Sequence, residues 1–200
     1  MTNRFRVLIA EDEEVVAQAL AAQLEGDGYR VMGVAADGHD AVAKAASLEP
    51  DLIFLDIKMP RQDGLEAARQ IMAARPVPII LITGFSDPDL VKAATEAGVM
   101  GYLLKPLDPK ALRPAILLAL SRFAEVLALR QEVESLHQAL ALRQQVEKAK
   151  GILARRMGLP EALAQKRIQA MARRDRSSLG EAAERIIAAE RFFAELDELD

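Results

Sequence analysis

Five short apolar runs alternate with segments of helical periodicity over the first 120 residues, and this alternation constrains the fold more than any other feature. The runs lie at 6–10, 29–35, 52–56, 78–83 and 101–104. Apolar runs of this length are typical of strands that are buried on both faces. Strands that alternate with helices form a parallel sheet through right-handed crossovers. The sequence therefore predicts an α/β fold with a doubly wound, five-stranded parallel sheet.

The composition excludes several other classes of protein. The chain has no cysteine, which excludes a disulfide framework, a thiolate metal site and a cysteine nucleophile. Acidic residues at 11–14 follow the first apolar run, so we predict no signal peptide. No run approaches the roughly 18 uncharged residues that a membrane span requires. We therefore expect a cytoplasmic protein that has no membrane partner.

Charged side chains stand at three of the predicted strand ends. Glu11 and Asp12 follow the first strand, Asp56 ends the third, and Lys105 follows the fifth. Sites in parallel sheets form at the carboxyl ends of the strands, and crowded carboxylates suit Mg²⁺. With Mg²⁺ and Lys105 absorbing negative charge, Asp56 is predicted to attack a phosphoryl group as a carboxylate nucleophile. Thr83, at the end of the fourth strand, could then hydrogen-bond the phosphoryl oxygens.

The order of these residues resembles that of response-regulator receiver domains over residues 5–120. The matching positions are Glu11-Asp12, Asp56, Lys58-Met59-Pro60, Asp63-Gly64, Thr83-Gly84, Tyr102 and Lys105-Pro106. The resemblance implies that Asp56 accepts phosphate from a histidine kinase. It also implies that Mg²⁺ is held by Glu11, Asp12, Asp56 and the backbone carbonyl of Lys58. In the same family Thr83 and Tyr102 would form a switch pair, and the Lys105-Pro106 bond would be cis.

Two other interpretations of this site remain open from the residues alone. Tyr102 could be an ordinary strand aromatic. A phosphatase of the haloacid-dehalogenase type also uses a strand-end Asp nucleophile, but it needs a second Asp two residues later, where this chain has Lys58. It also carries its nucleophile near the first strand. We therefore expect a regulator rather than an enzyme.

A long segment from Pro109 to about Gly158 is predicted to be helical. Apolar residues alternate spacings of three and four, as in a coiled-coil seam, at Val126, Leu129, Val133, Leu136 and Leu140. The register fails at Arg143 and Glu147, and a new stripe begins at Leu142, Val146, Ala149 and Leu153. The seam predicts a helical linker at 121–142 that joins two copies as a homodimer. The alternative is a helix that packs on its own receiver.

Three helical segments fit residues 145–193, and caps mark their ends. Gly158 ends the first, Pro160 opens the second, and Ser178 with Glu181 forms a capping box for the third. In the receiver, Ser86 or Asp87 is predicted to cap the helix that opens at Pro88.

Basic residues form two groups in this helical region. They are Lys148, Lys150, Arg155 and Arg156, followed by Lys166, Arg167, Arg173, Arg174 and Arg176. Charge of this kind permits DNA binding, RNA binding or a solvated face. No aromatic residue lies between Arg143 and Arg176, so a base could stack there only on arginine planes.

The same region resembles the ANTAR domain, a family that binds RNA hairpins and prevents transcription termination. The matching residues are Ala149-Lys150-Gly151-Ile152-Leu153, Met157-Gly158-Leu159, Ala164, Ala170-Met171-Ala172, Leu179 and Ala182-Ala183. Carried over by position, the predicted RNA contacts are Ala149, Lys150, Gly151 and Arg155 with Arg156, then Arg173, Arg174 and Arg176.

These features together predict a two-component response regulator. Residues 1–120 would form the receiver, 121–142 a coiled-coil-like linker, and 143–200 an ANTAR-like RNA-binding domain with an acidic tail. Phosphorylation of Asp56 would promote a homodimer that binds nascent RNA hairpins. A DNA-binding response regulator is the alternative.

Overall fold

The computed structural model describes residues 5–84 and 88–197, with the side chains of 88–91 and 193–197 outside the description. The predicted cap at Ser86 or Asp87 lies outside the described residues. The chain divides into two compact units, Met1–Leu127 and Ala128–Asp200. The finer division at residues 120 and 142 stays a prediction.

The first unit contains a five-stranded parallel sheet in the order β2-β1-β3-β4-β5. Its strands are β1 Arg6–Ala10, β2 Arg30–Ala35, β3 Leu52–Asp56, β4 Ile79–Thr83 and β5 Gly101–Leu104. Every residue of β3 and β4 is buried, as their unbroken apolar sequences require. The predicted fold class is therefore confirmed.

Helices cover both faces of this sheet. They are α1 Glu14–Gly26, α2 Gly38–Leu48, α3 Gly64–Ala74, α4 Pro88–Glu96 and the start of α5 Pro109–Met157. Successive side chains of β3 point to opposite faces of the sheet. Phe54 therefore packs with α1 and α5, while Leu55 packs with α2 and α3. The core therefore has two layers, and the central strands are fixed between them.

The strand register brings the carboxyl ends together. Ala10 of β1 pairs with Leu55 of β3, so the residues that follow each strand are neighbours. On the other side, the backbone N–H of Lys105 donates to the carbonyl of Thr83 at 2.8 Å. Gly64 lies at the end of the β3–α3 loop, where the chain passes close to the carbonyl of Asp56. This position requires glycine, because a Cβ there would collide with that carbonyl.

The second unit is helical. It contains α5 from Ala128 onward, α6 Glu161–Asp175 and α7 Leu179–Asp197. Its core is small and aliphatic, and its buried members are Val146, Ala149, Ile152, Ile168, Ala172, Ala182, Ala183 and Ile187. Within the part of the chain that the structure describes, no helix is long and apolar enough to cross a membrane.

The ends of these helices follow the predicted caps. The backbone N–H of Ser178 donates to Glu181 Oε2 at 2.7 Å, and the N–H of Glu181 donates to Ser178 Oγ at 3.2 Å. This reciprocal pair is the predicted capping box. Gly158 follows α5 with φ +62, a left-handed conformation that favours glycine.

Candidate functional site

Three carboxylates meet at the carboxyl edge of the sheet. Oxygen atoms of Glu11, Asp12 and Asp56 all lie within 4.8 Å of one another. Glu11 is 1% exposed and Asp56 is 5% exposed, whereas Asp12 faces solvent. Negative charges this close repel one another strongly in a partly buried site, so the cluster requires nearby positive charge.

Lys105 supplies part of that charge. Its Nζ donates to Glu11 Oε1 at 2.8 Å and to Asp56 Oδ2 at 2.9 Å. Burial lowers the pKa of Lys105, but the two hydrogen-bonded carboxylates outweigh burial and hold it well above its usual range. Burial also raises the pKa of Glu11, which the hydrogen bond from Lys105 only partly offsets. The ammonium group therefore stays charged and bridges the two buried acids.

A fourth carboxylate near this site was missed in the sequence. Glu13 Oε1 lies 3.5 Å from Lys105 Nζ. Its side chain is largely exposed, so it contributes less than the two buried acids. Glu13 lies two residues beyond Glu11, just past the end of β1, and this position could have indicated that it belongs to the site.

The cluster fits a hard divalent cation. One lysine cannot balance three carboxylates, and all three offer the oxygen ligands that Mg²⁺ prefers. Glu11 Oε2 is buried and has no hydrogen-bond partner among the described residues. The backbone N–H of Lys58 points at Asp56 Oδ1 across 3.4 Å, which fixes the start of the following loop. The role of the Lys58 carbonyl stays a prediction.

The predicted switch residues lie on neighbouring strands. Thr83 ends β4 and is 5% exposed, while Tyr102 on β5 is 51% exposed. In the β4–β5 register Tyr102 pairs with Leu81, two positions before Thr83. Lys105-Pro106 is cis, as the receiver resemblance implied. The structure thus gathers Glu11, Asp12, Asp56 and Lys105 at one point, with Thr83 ending the adjacent strand.

In the helical unit, two of the predicted RNA contacts are small residues of α5, and their surroundings differ. Ala149 is fully buried and packs in the aliphatic core. Gly151 is one turn short of Arg155, and a Cβ at Gly151 would meet only Arg155 Nη1, at an ordinary 3.7 Å. Among the described residues, therefore, no neighbouring helix requires a glycine at this position.

Lys150 is held by acids of its own unit. Its side chain is only 11% exposed and its Nζ lies 2.8 Å from Glu147 and 3.5 Å from Glu161. The hydrogen bond to Glu147 raises the pKa of Lys150. This arrangement neutralises a cation that the sequence predicted to face RNA.

The arginines divide into paired and unpaired groups. Arg156 pairs with Glu190 at 2.8 Å, and Arg174 pairs with Asp175 at 2.7 Å. In the described part of the chain, no ion pair forms at the exposed guanidinium groups of Arg155, Arg173 and Arg176. One arginine was missed in the sequence, Arg185, which joins Asp175 at 2.8 Å.

A parallel sheet in this strand order, with a cluster of acids and a lysine at its carboxyl edge, defines a receiver domain. The family model of the response regulator receiver domain matches residues 7–117, and that of the ANTAR domain matches residues 134–187. The chain therefore belongs to the response regulators, and it joins a receiver domain to an ANTAR domain.

Individual relatives agree with this assignment. The transcriptional regulatory protein PdtaR of Mycobacterium tuberculosis is 46% identical over 182 residues, which cover 91% of this chain and 89% of that protein. The receiver domain of a modulated diguanylate cyclase from Desulfovibrio desulfuricans is 36% identical, with a TM-score of 0.57 over 61% of this chain and 98% of that one. CheY in a CheX-CheY-BeF3-Mg²⁺ complex from Borrelia burgdorferi is 30% identical, with a TM-score of 0.55 over 56% and 86%.

Proposed function

We propose that a histidine kinase phosphorylates this response regulator on Asp56, and that phosphorylation promotes a homodimer which binds nascent RNA hairpins and prevents transcription termination. The observation that carries the proposal is the Glu11–Asp56–Lys105 cluster in a chain that also contains an ANTAR domain. Similarity to PdtaR over both regions supports a role in transcription.

At the receiver site, an Asp56 oxygen attacks the phosphorus of a phosphohistidine, and the bond from phosphorus to the imidazole nitrogen breaks. Lys105, already 2.9 Å from Asp56 Oδ2, stabilises charge on the transferred group. Thr83 ends β4, and its hydroxyl would donate a hydrogen bond to a phosphoryl oxygen. Mg²⁺ would be held by Glu11, Asp12, Asp56 and the Lys58 carbonyl, and when bound it neutralises phosphoryl charge. The Mg²⁺ complex of the CheY relative supports this ligand chemistry.

The homodimer would use the apolar seam of α5. Leu129, Val133, Leu136 and Leu140 are between 51% and 61% exposed. Exposed apolar residues spaced by three and four along one helix are typical of a surface that a second helix covers. A seam of little more than two heptads is marginal alone, which suits an association that phosphorylation controls.

RNA binding would use the exposed cations of the helical unit. Arg155, Arg173 and Arg176 have guanidinium groups available to phosphates or to unstacked bases. Gly151 costs its helix about 1 kcal/mol relative to alanine. Because no neighbouring described helix requires that glycine, close approach of an RNA backbone is a sufficient reason for it.

The test is RNA-hairpin binding and oligomeric state, measured in the same samples with and without phosphorylation. The parent chain should bind RNA more tightly and dimerise when phosphorylated. In Asp56→Ala, exposure to the phosphodonor should change neither RNA binding nor oligomeric state. Asp27→Ala, at an exposed acid after α1, is the matched control and should behave as the parent. An Asp56→Ala protein that dimerised and bound RNA like the phosphorylated parent would refute the switch.

Two comparisons separate the alternatives. Hairpin RNA and duplex DNA should be tested side by side over a salt series, and tighter binding of DNA would overturn the RNA proposal. With an aryl phosphate, a receiver should react slowly and nearly stoichiometrically. Many rapid turnovers would indicate a phosphatase instead.

A further inference from the structure

We infer that Asp37 and Arg61 are positioning residues for the proposed Mg²⁺ site, because their ion pair holds the β3–α3 loop in the conformation that binds the metal. Neither residue belongs to the carboxylate cluster itself. The inference rests on the proposed function, in which Lys58 of this loop supplies a backbone carbonyl to the metal. It adds two residues outside the site and a physical reason for their effect on it.

The β3–α3 loop, residues 57–63, is fixed at both of its ends. The backbone N–H of Ile57 donates to the carbonyl of Ile82 at 3.3 Å, and the N–H of Gly64 donates to the carbonyl of Ile57 at 2.9 Å. Lys58 directly follows the first of these bonds. The freedom that remains to Lys58 therefore depends on the residues after it, and above all on the loop tip, residues 60–62.

The backbone of the loop tip is strained. Arg61 has φ +65, and the N–H of Gln62 donates to the carbonyl of Pro60 at 2.7 Å, which closes a γ-turn. A γ-turn with positive φ at its centre is rare and strained. In the described part of the chain, the other non-glycine residues with positive φ are Glu49 and Arg176, and each follows the end of a helix, where this conformation is common. Strain of this kind persists only where the surroundings impose it.

An ion pair with a buried acid supplies that constraint. The guanidinium group of Arg61 pairs with Asp37 Oδ2, and the Asp37 side chain is fully buried whereas that of Arg61 is largely exposed. A buried carboxylate strongly requires an opposite charge. Asp37 is itself fixed, because its Oδ1 accepts the N–H of Asp40 at 2.9 Å as the cap of α2. The pair therefore ties the strained residue to a fixed point.

The next residue of the tip also depends on this contact. Gln62 is 8% exposed, and neither its Nε2 nor its Oε1 has a hydrogen-bond partner among the described residues. Burying an amide in this way is unfavourable. Its backbone lies against the start of α2, since a Cβ at Gly38 would collide with the carbonyl of Gln62. Because neither the turn at Arg61 nor the burial of Gln62 is favourable by itself, we attribute this close approach to the ion pair.

A loop that is already held in place binds a metal more tightly than one that must first be ordered. Contacts that orient a ligand without touching the metal typically change metal affinity ten- to a hundredfold. The ion pair acts on Lys58 through the two residues between it and Arg61. We therefore expect the smaller effect, about tenfold.

The test is Mg²⁺ binding to the folded full chain, measured by isothermal titration calorimetry. Asp37→Asn combined with Arg61→Gly releases the tip and leaves no buried charge unpaired, because asparagine caps a helix as well as aspartate does and glycine adopts positive φ freely. This double variant should bind Mg²⁺ about tenfold more weakly than the parent. Arg61→Lys keeps a positive charge for Asp37 and should bind Mg²⁺ more tightly than the double variant.

Glu66→Gln combined with Arg69→Met is the matched control. It also removes one acid and one arginine that form an ion pair, in this case at 3.2 Å on the surface of α3, the helix that follows the loop. Its affinity for Mg²⁺ should equal that of the parent. A loss as large as that of the Asp37 and Arg61 double variant would show that any such change of charge has this effect, and would overturn the inference.

Phosphorylation by acetyl phosphate gives a second readout. In the Asp37 and Arg61 double variant, the Mg²⁺ concentration for half-maximal rate should rise about tenfold, while the rate at saturating Mg²⁺ should match the parent. A purely structural role would instead lower the melting temperature and leave the Mg²⁺ affinity of the folded chain unchanged, which would overturn the inference. Tighter Mg²⁺ binding by this variant would also overturn it, because the pair would then hold the loop away from the metal.

Failure of the proposed function gives a different result. A parent chain that bound no Mg²⁺, or whose binding was unaffected by Asp56→Ala, would contradict the proposed metal site and the inference with it. Asp56-dependent binding that was equal in the parent and in the Asp37 and Arg61 double variant would overturn the inference alone.

Discussion

Replacing Lys105 with methionine should destabilise the receiver and make its stability depend more strongly on Mg²⁺. The side chains of Glu11 and Asp56 are 0% and 7% exposed, and Lys105 Nζ lies within 2.9 Å of an oxygen of each. Removing one partner from a buried ion pair costs about 3–5 kcal/mol. Because this site opens at the sheet edge, we expect the lower figure, about 3 kcal/mol.

The assay is thermal and urea unfolding in metal-free buffer, followed by a Mg²⁺ titration. A loss of about 3 kcal/mol should lower the melting temperature by about 10 °C. Mg²⁺ should restore more stability to Lys105→Met than to the parent, because it replaces the missing charge among the acids. Lys110→Met is the matched control, because Lys110 is an exposed lysine with no ion pair among the described residues. It should change stability by less than about 0.5 kcal/mol.

A double-mutant comparison makes this reasoning refutable. Glu11→Gln should be neutral or destabilising in the parent, where it weakens the bond to Lys105. In the Lys105→Met background it should instead stabilise the protein, because it removes one of two unpaired buried acids. If Glu11→Gln has the same sign in both backgrounds, repulsion between Glu11 and Asp56 is not what Lys105 relieves, and the account of the site is wrong.

Three further outcomes are expected. Ser178→Ala should cost about 1 kcal/mol of unfolding free energy, since it removes the hydroxyl that accepts from the N–H of Glu181. Hydrogen bonding to Arg6 lowers the pKa of Asp51, so Asp51→Asn should lower the free energy of unfolding at pH 7. In urea unfolding, the difference between parent and variant should shrink as pH falls below about 3.9, where the unfolded carboxyl becomes protonated. Gly64→Ala should slow phosphorylation by acetyl phosphate, because its Cβ would displace the loop that follows the acceptor.

Much of the receiver could be predicted because its sequence signals are local. β3 runs from Leu52 to Asp56 as expected, since an unbroken apolar run ends there in an acid. The meeting of Glu11 with Asp56 followed from parallel-strand geometry alone. Glu13 was missed because its distance to Lys105 depends on a side-chain direction that no spacing rule gives.

The helical unit was less predictable because its charges pair across different helices. The contact of Lys150 with Glu161 depends on the direction in which the turn after Met157 leads the chain into α6. Residue spacing does not specify that direction. The burial of Ala149 was contained in the sequence, since it belongs to the second apolar stripe of α5. Its predicted RNA contact stays a prediction, as do those of the exposed arginines.

The acids that hold Lys150 and Arg174 have a consequence for salt dependence. Glu147, Glu161 and Asp175 act as built-in counterions, so a phosphate that pairs with these cations displaces protein carboxylates rather than dissolved ions. Only dissolved ions that are released contribute to the slope of log affinity against log salt, at about 0.7 per phosphate contact on single strands. Binding by this unit should therefore weaken less with added salt than its number of lysines and arginines suggests.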